Sequence, residues 1–148
     1  MAIISICDAD ISCIDQLEAL EAECFSTPWT REQLIGQLPD EMHTFIVAKS
    51  GEKVIGYAGM MTVLDEGYIS NVAVSPKYRR QGIADSLLDE LDIRAKSAKL
   101  AFITLEVRKG NLPAISLYEK HGYIKVGERK NYYQLPTENA ILMTKFLK

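Results

Sequence analysis

A basic loop after a short apolar run, Val72-Ala73-Val74, is the segment with the clearest chemistry. Lys77, Arg79 and Arg80 bring three positive charges together, and Gly82 precedes an amphipathic pattern typical of a helix. A helix N-terminus has unpaired N–H groups and a partial positive charge, and glycine lets an anion approach the backbone closely. The residues alone leave two interpretations open, a phosphate-binding site and an ordinary basic turn. Neither the P-loop nor the dinucleotide-binding glycine pattern occurs in the chain.

Two other side chains could move protons. Glu106 lies in an apolar run between Leu105 and Val107, and a carboxylate held in a cleft can act as a general base. From the residues alone, a solvated acid at a strand end or an ion pair with Arg108 is the simpler interpretation. Tyr118 lies in a helical pattern further along, where its phenol can pack in the core or donate a proton to a leaving group.

The histidines and cysteines form no metal-binding pattern. His43 and His121 have no ligand spacing with each other or with the cysteines, so we predict no metal site. Cys7, Cys13 and Cys24 are odd in number and form no C-x-x-C pair, which predicts reduced thiols. The start of the chain has no signal-peptide pattern, and no apolar run is long enough to span a membrane. We therefore expect a cytoplasmic protein.

The charge is divided unevenly along the chain. A formal net charge of −3 argues against a general nucleic-acid binder, which usually carries a basic surplus. Residues 1–42 carry nine acidic residues and one arginine, a net charge of −8, whereas residues 43–148 carry 16 basic and 11 acidic residues, a net charge of +5. An anionic ligand is therefore expected in the second segment.

The elements that must position these residues alternate between strand and helix patterns. Local signals mark three helix ends: a capping box at Thr30 and Gln33, an N-cap at Asn111 and a left-handed C-terminal cap at Gly122. The pattern predicts strands at residues 3–6, 45–49, 53–62, 67–74, 101–107, 123–126 and 140–146, and helices at residues 11–25, 83–95 and 112–121, with a short one after Thr30. Alternation of strands and helices after residue 68 predicts an α/β fold with crossover connections. With no linker or repeat, we expect a single domain over residues 1–148.

The sequence resembles the GCN5-related N-acetyltransferase (GNAT) superfamily. Its acetyl-CoA loop, Q/R-x-x-G-x-G/A, is matched by Arg79-Arg80-Gln81-Gly82-Ile83-Ala84, with alanine at the last position. The second half of the family pattern is matched by Leu105-Glu106-Val107-Arg108, by the segment from Asn111 to Glu119, and by Gly122-Tyr123. The resemblance implies a three-layer fold, with a mixed central sheet whose splayed strands receive acetyl-CoA and with helices on both faces.

The resemblance also implies roles for individual residues. Main-chain groups of Val72, Ala73 and Val74 would meet the thioester and pantetheine, and Arg79, Arg80, Gln81, Gly82, Ile83 and Ala84 would cradle the pyrophosphate. Asn111 would both cap its helix and contact the cofactor. Glu106 matches the proposed proton acceptor, working through water, and Tyr118 matches the tyrosine that protonates the leaving CoA thiolate. Cys24 has no nucleophile motif, so direct transfer is expected.

Two segments narrow the resemblance to the ribosomal-protein-alanine N-acetyltransferases. They are Pro28-Trp29-Thr30 and Arg129-Lys130-Asn131-Tyr132-Tyr133. This group implies that the substrate is the N-terminal alanine of the eighteenth small-subunit ribosomal protein. Trp29, Tyr132 and Tyr133 would line the groove for that N-terminus, with ordinary core or surface packing as the alternative.

Other functions stay open from the sequence. The chain could acetylate a small amine or a lysine side chain, or bind acyl-CoA without turnover. We expect a monomer or a weak dimer, with no membrane or direct nucleic-acid partner. The acidic first segment flanks Trp29, so Glu21, Glu23 and Glu32 are expected to attract a basic peptide.

Overall fold

The computed structural model describes residues 3–148, so Met1 and Ala2 of the expected domain lie outside the described residues. The strands are β1 (Ile4–Asp8), β2 (His43–Ser50), β3 (Lys53–Val63), β4 (Glu66–Val74), β5 (Phe102–Arg108), β6 (Ile124–Tyr133) and β7 (Glu138–Phe146). The α-helices are α1 (Ile14–Cys24), α2 (Arg31–Gly36), α3 (Ile83–Ser97) and α4 (Leu112–Lys120). No helix within the described residues is long and apolar enough to cross a membrane.

All seven strands form one mixed sheet in the order β1-β2-β3-β4-β5-β7-β6. Only β4 and β5 are parallel neighbours, and α3 makes the crossover between them. Every other pair of neighbouring strands is antiparallel. The predicted α/β fold with a mixed central sheet is therefore confirmed.

Hydrophobic side chains cover both faces of the sheet because successive residues of a strand point to opposite sides. In β2, Phe45 packs toward α1 and α2, whereas Ile46 packs toward α3. The α1 face is buried by Ile14, Leu17, Leu20 and Leu34. The α3 face is buried by Ile83, Leu87, Leu88, Leu91 and Ala95, with Tyr118 from α4. This arrangement confirms the predicted three layers.

Strands β4 and β5 separate after a short paired stretch. Their register runs only from Glu66–Phe102 to Tyr68–Thr104, although β4 continues to Val74 and β5 to Arg108. The register of β4 against β3 shifts at Ser70, which is left as an extra residue on β4. Such a bulge bends a strand locally. The predicted splay of the central strands is confirmed, and it opens the sheet at the ends of β4 and β5.

The local signals at helix ends are confirmed. Thr30 and Gln33 form a reciprocal capping box at α2, and the Asn111 side chain accepts a hydrogen bond from the Ala114 N–H (3.2 Å). Gly82 precedes α3 with φ 77°, and Gly122 follows α4 with φ 94°.

Most predicted boundaries differ from the observed ones by two residues or fewer, and two differ by more. The first helical segment begins with a 3-10 turn at Ile11–Cys13 before α1. Strand β6 extends to Tyr133 instead of ending at residue 126, so Arg129 to Tyr133 belong to that strand. Most of β6 is exposed, and an exposed edge strand lacks the alternation of apolar and polar residues that marks a strand in sequence.

Candidate active site

A cleft of about 590 Å³ opens where β4 and β5 separate. Its walls come from the two splayed strands, the segment between α1 and α2, the start of α4 and the connection from β6 to β7. The lining residues are Cys24 to Thr27, Trp29, Tyr68 to Val72, Leu105 to Arg108, Asn111, Ala114, Tyr118 and Tyr132 to Pro136.

Seven of the fifteen predicted site residues meet at this cleft. Both predicted proton-transfer residues, Glu106 and Tyr118, line it. So do Val72, Asn111, Trp29, Tyr132 and Tyr133. Ala73, Val74 and the predicted pyrophosphate loop from Arg79 to Ala84 lie outside its lining. The loop follows directly from the end of β4, so it continues the open strand edge.

Glu106 is held by two partners at the floor of the cleft. Its side chain is only 6% exposed; Tyr68 donates a hydrogen bond to Oε2, and Arg129 Nε lies 3.2 Å from Oε1. The expected alternatives, a solvated acid or an ion pair with Arg108, are therefore both wrong. Burial raises the pKa of Tyr68, and the hydrogen bond to Glu106 raises it further, so this phenol stays protonated as a donor.

Arg108 has different partners because the β6–β7 connection lies over it. Its guanidinium pairs with Glu138 (3.1 Å) and donates to the carbonyl oxygens of Gln134 and Pro136 (both 2.9 Å). It also lies 4.5 Å from the centre of the Tyr133 ring.

Tyr118 is buried beneath the cleft at the last turn of α4. Its ring meets Tyr123 edge to face, with 5.8 Å between the centroids. Burial raises the pKa of Tyr118 to about 12, because a desolvated phenolate is costly. A phenol with this pKa is fully protonated at neutral pH, so it can donate a proton but cannot act as a base.

The first turn of α3 presents unpaired amides next to the basic loop. The first helical amide that bonds within α3 is that of Ser86, to the Gly82 carbonyl (3.0 Å). No side chain among residues 3–148 caps the earlier amides. A Cβ added at Gly82 would meet nothing within 4 Å, so the space over this turn is open. This geometry suits a phosphate group.

The side chains of the loop divide between the solvent and the protein interior. Arg80 and Gln81 are exposed, whereas Ile83 is buried in the core and offers only its backbone. Arg79 turns back to β4, where Nε donates to the Val74 carbonyl (3.2 Å) and Nη2 lies 3.9 Å from Cys24 Sγ. Burial raises the pKa of the Cys24 thiol, although Arg79 opposes the shift, which agrees with the expectation that Cys24 is not an activated nucleophile.

Glu21 connects the Trp29 segment to strand β4. It is 1% exposed; Oε1 accepts from the Trp29 N–H (2.7 Å) and Oε2 accepts from Asn71 Nδ2 (3.2 Å). Asn71 Nδ2 also contacts Tyr57 Oη at 3.2 Å. The expectation that Glu21 attracts a peptide from the surface is therefore wrong. Its carboxylate is used to position the wall of the cleft.

Several residues of this site were missed in the sequence. Tyr68, Asn71, Arg108 and Arg129 each contact a predicted site residue. The period of a strand could have indicated Arg108, which is two residues from Glu106 and so shares its face. The other contacts join distant parts of the chain and leave no local signal. Among residues 3–148, no three His, Cys, Asp or Glu side chains are grouped as metal ligands.

Comparison with known proteins identifies relatives over most of the chain. The family model described as Acetyltransferase (GNAT) family matches residues 14–123. A Bacillus subtilis protein named putative [ribosomal protein bS18]-alanine N-acetyltransferase is 35% identical over 132 residues, covering 88% of this chain and 87% of the relative.

Two solved structures show the same fold. The ribosomal-protein-S18-alanine N-acetyltransferase of Escherichia coli superposes with a TM-score of 0.92 and 28% identity, covering 99% of this chain and 95% of the other. Arabidopsis thaliana NAA60, solved in complex with acetyl-CoA, gives a TM-score of 0.90 at 20% identity, covering 98% of this chain and 100% of the other.

Proposed function

The chain belongs to the acetyltransferase (GNAT) family, and on that premise we propose that it transfers acetyl from acetyl-CoA to the N-terminal α-amine of a protein. The substrate we favour is the N-terminal alanine of ribosomal protein bS18, the substrate named for its relatives. The observation that carries the proposal is the cleft between the splayed strands, which brings Glu106 and Tyr118 to one cavity, with the uncapped first turn of α3 following the end of β4.

The residues present fit acetyl-CoA. Beyond Tyr68, no strand among residues 3–148 pairs with the edge of β4 that faces β5, so main-chain groups between Val72 and Val74 can meet the pantetheine amides. The Val74 carbonyl is the exception, because it already accepts from Arg79. The open first turn of α3 and the positive charge of Arg80 suit the pyrophosphate. Asn111 both caps α4 and lines the cleft, as the dual role requires. Acetyl-CoA supplies an acetyl group activated as a thioester.

Glu106 is the general base of this proposal. It is the acidic residue among those that line the cleft, and Tyr68 and Arg129 fix its two oxygens. A carboxylate that accepts these contacts retains lone pairs for a water molecule. The proton of the attacking amine passes through that water to a carboxylate oxygen of Glu106.

Tyr118 is the general acid. Its phenol is buried and protonated at neutral pH, and its oxygen donates a proton to the CoA sulfur as the C–S bond breaks. Because burial penalises the phenolate, the tyrosine is reprotonated from solvent after each turnover.

The chemistry of the amine favours an N-terminal substrate. A free α-amino group has a pKa of about 7.7–8.0 and is roughly 10–20% neutral at pH 7, whereas lysine, with a pKa near 10.4, is neutral less than about once in a thousand. The difference of about 2.5 pKa units corresponds to about 3.4 kcal/mol. A single carboxylate that acts through water is sufficient to deprotonate an α-amino group and is poorly matched to the more basic lysine side chain.

The experiment measures acetyl transfer from acetyl-CoA to peptides that begin Ala-Arg, Ser or Met, and to an N-terminally blocked lysine peptide. We expect the highest kcat/KM for the Ala-Arg peptide. Activity confined to the lysine peptide or to a small amine would reject the N-terminal substrate. Binding of CoA without turnover on any amine would indicate a non-catalytic module.

Two conservative variants test the roles within the same assay. Glu106→Gln and Tyr118→Phe should each lower kcat about 10²-fold or more, the range of general acid–base catalysis. CoA affinity should persist in both variants. Near-normal rates in both would remove these residues from the mechanism.

A further inference from the structure

We infer that Arg108 is a positioning residue that sets the shape of the substrate wall formed by Gln134 to Pro136. This inference rests on the proposed function, because the wall matters only if a peptide occupies the cleft. Arg108 is the last residue of β5, two residues beyond Glu106, and its side chain is 27% exposed. It therefore reaches the β6–β7 connection from the strand that carries the general base.

The contacts of Arg108 are directed at the backbone of that connection. Nη2 donates to the Gln134 carbonyl and Nη1 to the Pro136 carbonyl, both at 2.9 Å. No other described residue from 3 to 148 donates to either oxygen. A guanidinium has several donors in a rigid plane, so it can hold two carbonyls and a carboxylate at once, whereas a lysine ammonium is a single point.

A second anchor fixes the guanidinium itself. Glu138 Oε1 pairs with Arg108 (3.1 Å), and its other oxygen accepts from the Gly110 N–H (2.7 Å). A Cβ at Gly110 would lie 2.6 Å from Glu138 Oε2, so glycine is what allows this close approach. The β6–β7 connection is thus tied to the end of β5 at a defined position.

Arg108 also orients an aromatic residue of the cleft. Its guanidinium lies over the Tyr133 ring at 4.5 Å, the geometry of a cation–π contact. The Tyr133 ring meets Tyr132 edge to face at 5.0 Å. One side chain therefore holds both the aromatic pair and the adjoining turn against the cleft.

Little else holds this wall in place. Gln134, Leu135 and Pro136 are all exposed, and Leu135 is 70% exposed, so burial of apolar surface contributes little to their position. The backbone pairing of β5 with β7 does not depend on the Arg108 side chain, since Arg108 is in register with Ala140 through main-chain groups. Loss of the guanidinium should therefore loosen the wall without disrupting the sheet.

The test is Arg108→Lys, which keeps the charge and removes the planar set of donors. We expect KM for the Ala-Arg peptide to rise about tenfold or more, with kcat and the Kd of CoA within about twofold of the wild type. Hydrogen exchange of the backbone amides of residues 132–135 and 137 should become faster, with the rest of the sheet unchanged. Lys109→Ala is the matched control, because this adjacent cation is exposed and pairs with Glu128 instead; it should change none of these values.

The outcomes are distinguishable from failure of the proposed function. If the wild type does not acetylate peptides, the proposed function fails, and unchanged hydrogen exchange in Arg108→Lys would separately overturn the role of Arg108. If the wild type acetylates peptides but the variant shows a normal peptide KM, with only lower kcat and lower thermal stability, then Arg108 is merely structural and the inference is wrong. Arg108→Met tests the same expectation in a variant with no charge.

Discussion

At the scale of single residues, Glu21 shows how a buried charge serves the site. Its two carboxylate oxygens accept from the Trp29 backbone and from the Asn71 side chain, which lie on different walls of the cleft. Burial raises the pKa of Glu21, and the hydrogen bonds from Trp29 and Asn71 oppose that shift only in part. Glu21 therefore connects the two walls, and its ionisation in the folded protein costs more free energy than in the unfolded chain.

Glu21→Gln should destabilise the protein by about 1–3 kcal/mol, because glutamine turns an NH₂ group toward one of the two donors and leaves it unsatisfied. The raised pKa means that the folded protein binds the Glu21 proton more tightly than the unfolded chain. The stability that the raised pKa of Glu21 contributes to the wild type is therefore lost as the pH rises from the pKa of Glu21 in the unfolded chain through its pKa in the folded protein. We expect the stability gap between wild type and variant, measured by urea unfolding, to narrow from pH 4.5 to pH 8.

The matched control for this measurement is Glu23→Gln, two residues along the same helix and exposed. It should leave the unfolding free energy unchanged at both pH values. If the difference in unfolding free energy between wild type and Glu21→Gln widened as the pH rose, the folded protein would instead favour the ionised carboxylate of Glu21.

The residues that could be predicted from sequence are those whose partners are close along the chain. The N-caps at Thr30 and Asn111 bond within three residues, so the sequence contains both partners of each bond in one short window. The Glu21–Asn71 hydrogen bond joins residues 50 positions apart. A sheet of this topology brings such pairs together, and one sequence carries no sign of which side chains will meet.

At the scale of elements, the start of α3 is where backbone geometry and ligand binding coincide. Gly82 has φ 77°, and its missing Cβ leaves open space over the first turn. The family pattern predicted this element well because glycine and the helix period are both local signals. The extent of β6 was missed because its exposed residues follow no period and its register shifts twice against β7.

Gly82→Ala should lower stability by about 1 kcal/mol, the cost of a left-handed backbone for a residue with a Cβ, and should weaken CoA binding by about tenfold or more. Gly51→Ala is the matched control: Gly51 has φ 62° and a Cβ added there would meet nothing within 4 Å, but it lies in the turn between β2 and β3. It should show a similar loss of stability and normal CoA affinity by calorimetry. Equal CoA affinities in the two variants would exclude a close approach of the cofactor to Gly82.

At the scale of the whole molecule, the division of charge now has a structural meaning. The acidic first segment forms α1 and α2, whose connection supplies one wall of the cleft, and the basic second segment carries the start of α3. Not every acid contributes to the surface field. Glu21 is buried, and Asp15 and Glu18 lie within 2.6 Å and 3.5 Å of Arg31.

Glu23 and Glu32 are the acids through which the long-range attraction of a basic peptide can be tested. Both are exposed and have no ion-pair partner among residues 3–148. Because exposed charges act over a Debye length of about 10 Å at 0.1 M salt and about 3 Å at 1 M, the variant Glu23→Gln/Glu32→Gln should raise KM for an Ala-Arg peptide several-fold at low salt. The difference from wild type should disappear at high salt, and kcat should stay unchanged. Asp65→Asn/Glu66→Gln, at the start of β4 and outside the lining of the cleft, removes the same charge and should leave KM unchanged. A rise in KM that persisted at high salt, or that occurred equally with an uncharged peptide, would mean that these glutamates contact the substrate directly rather than attracting it from a distance.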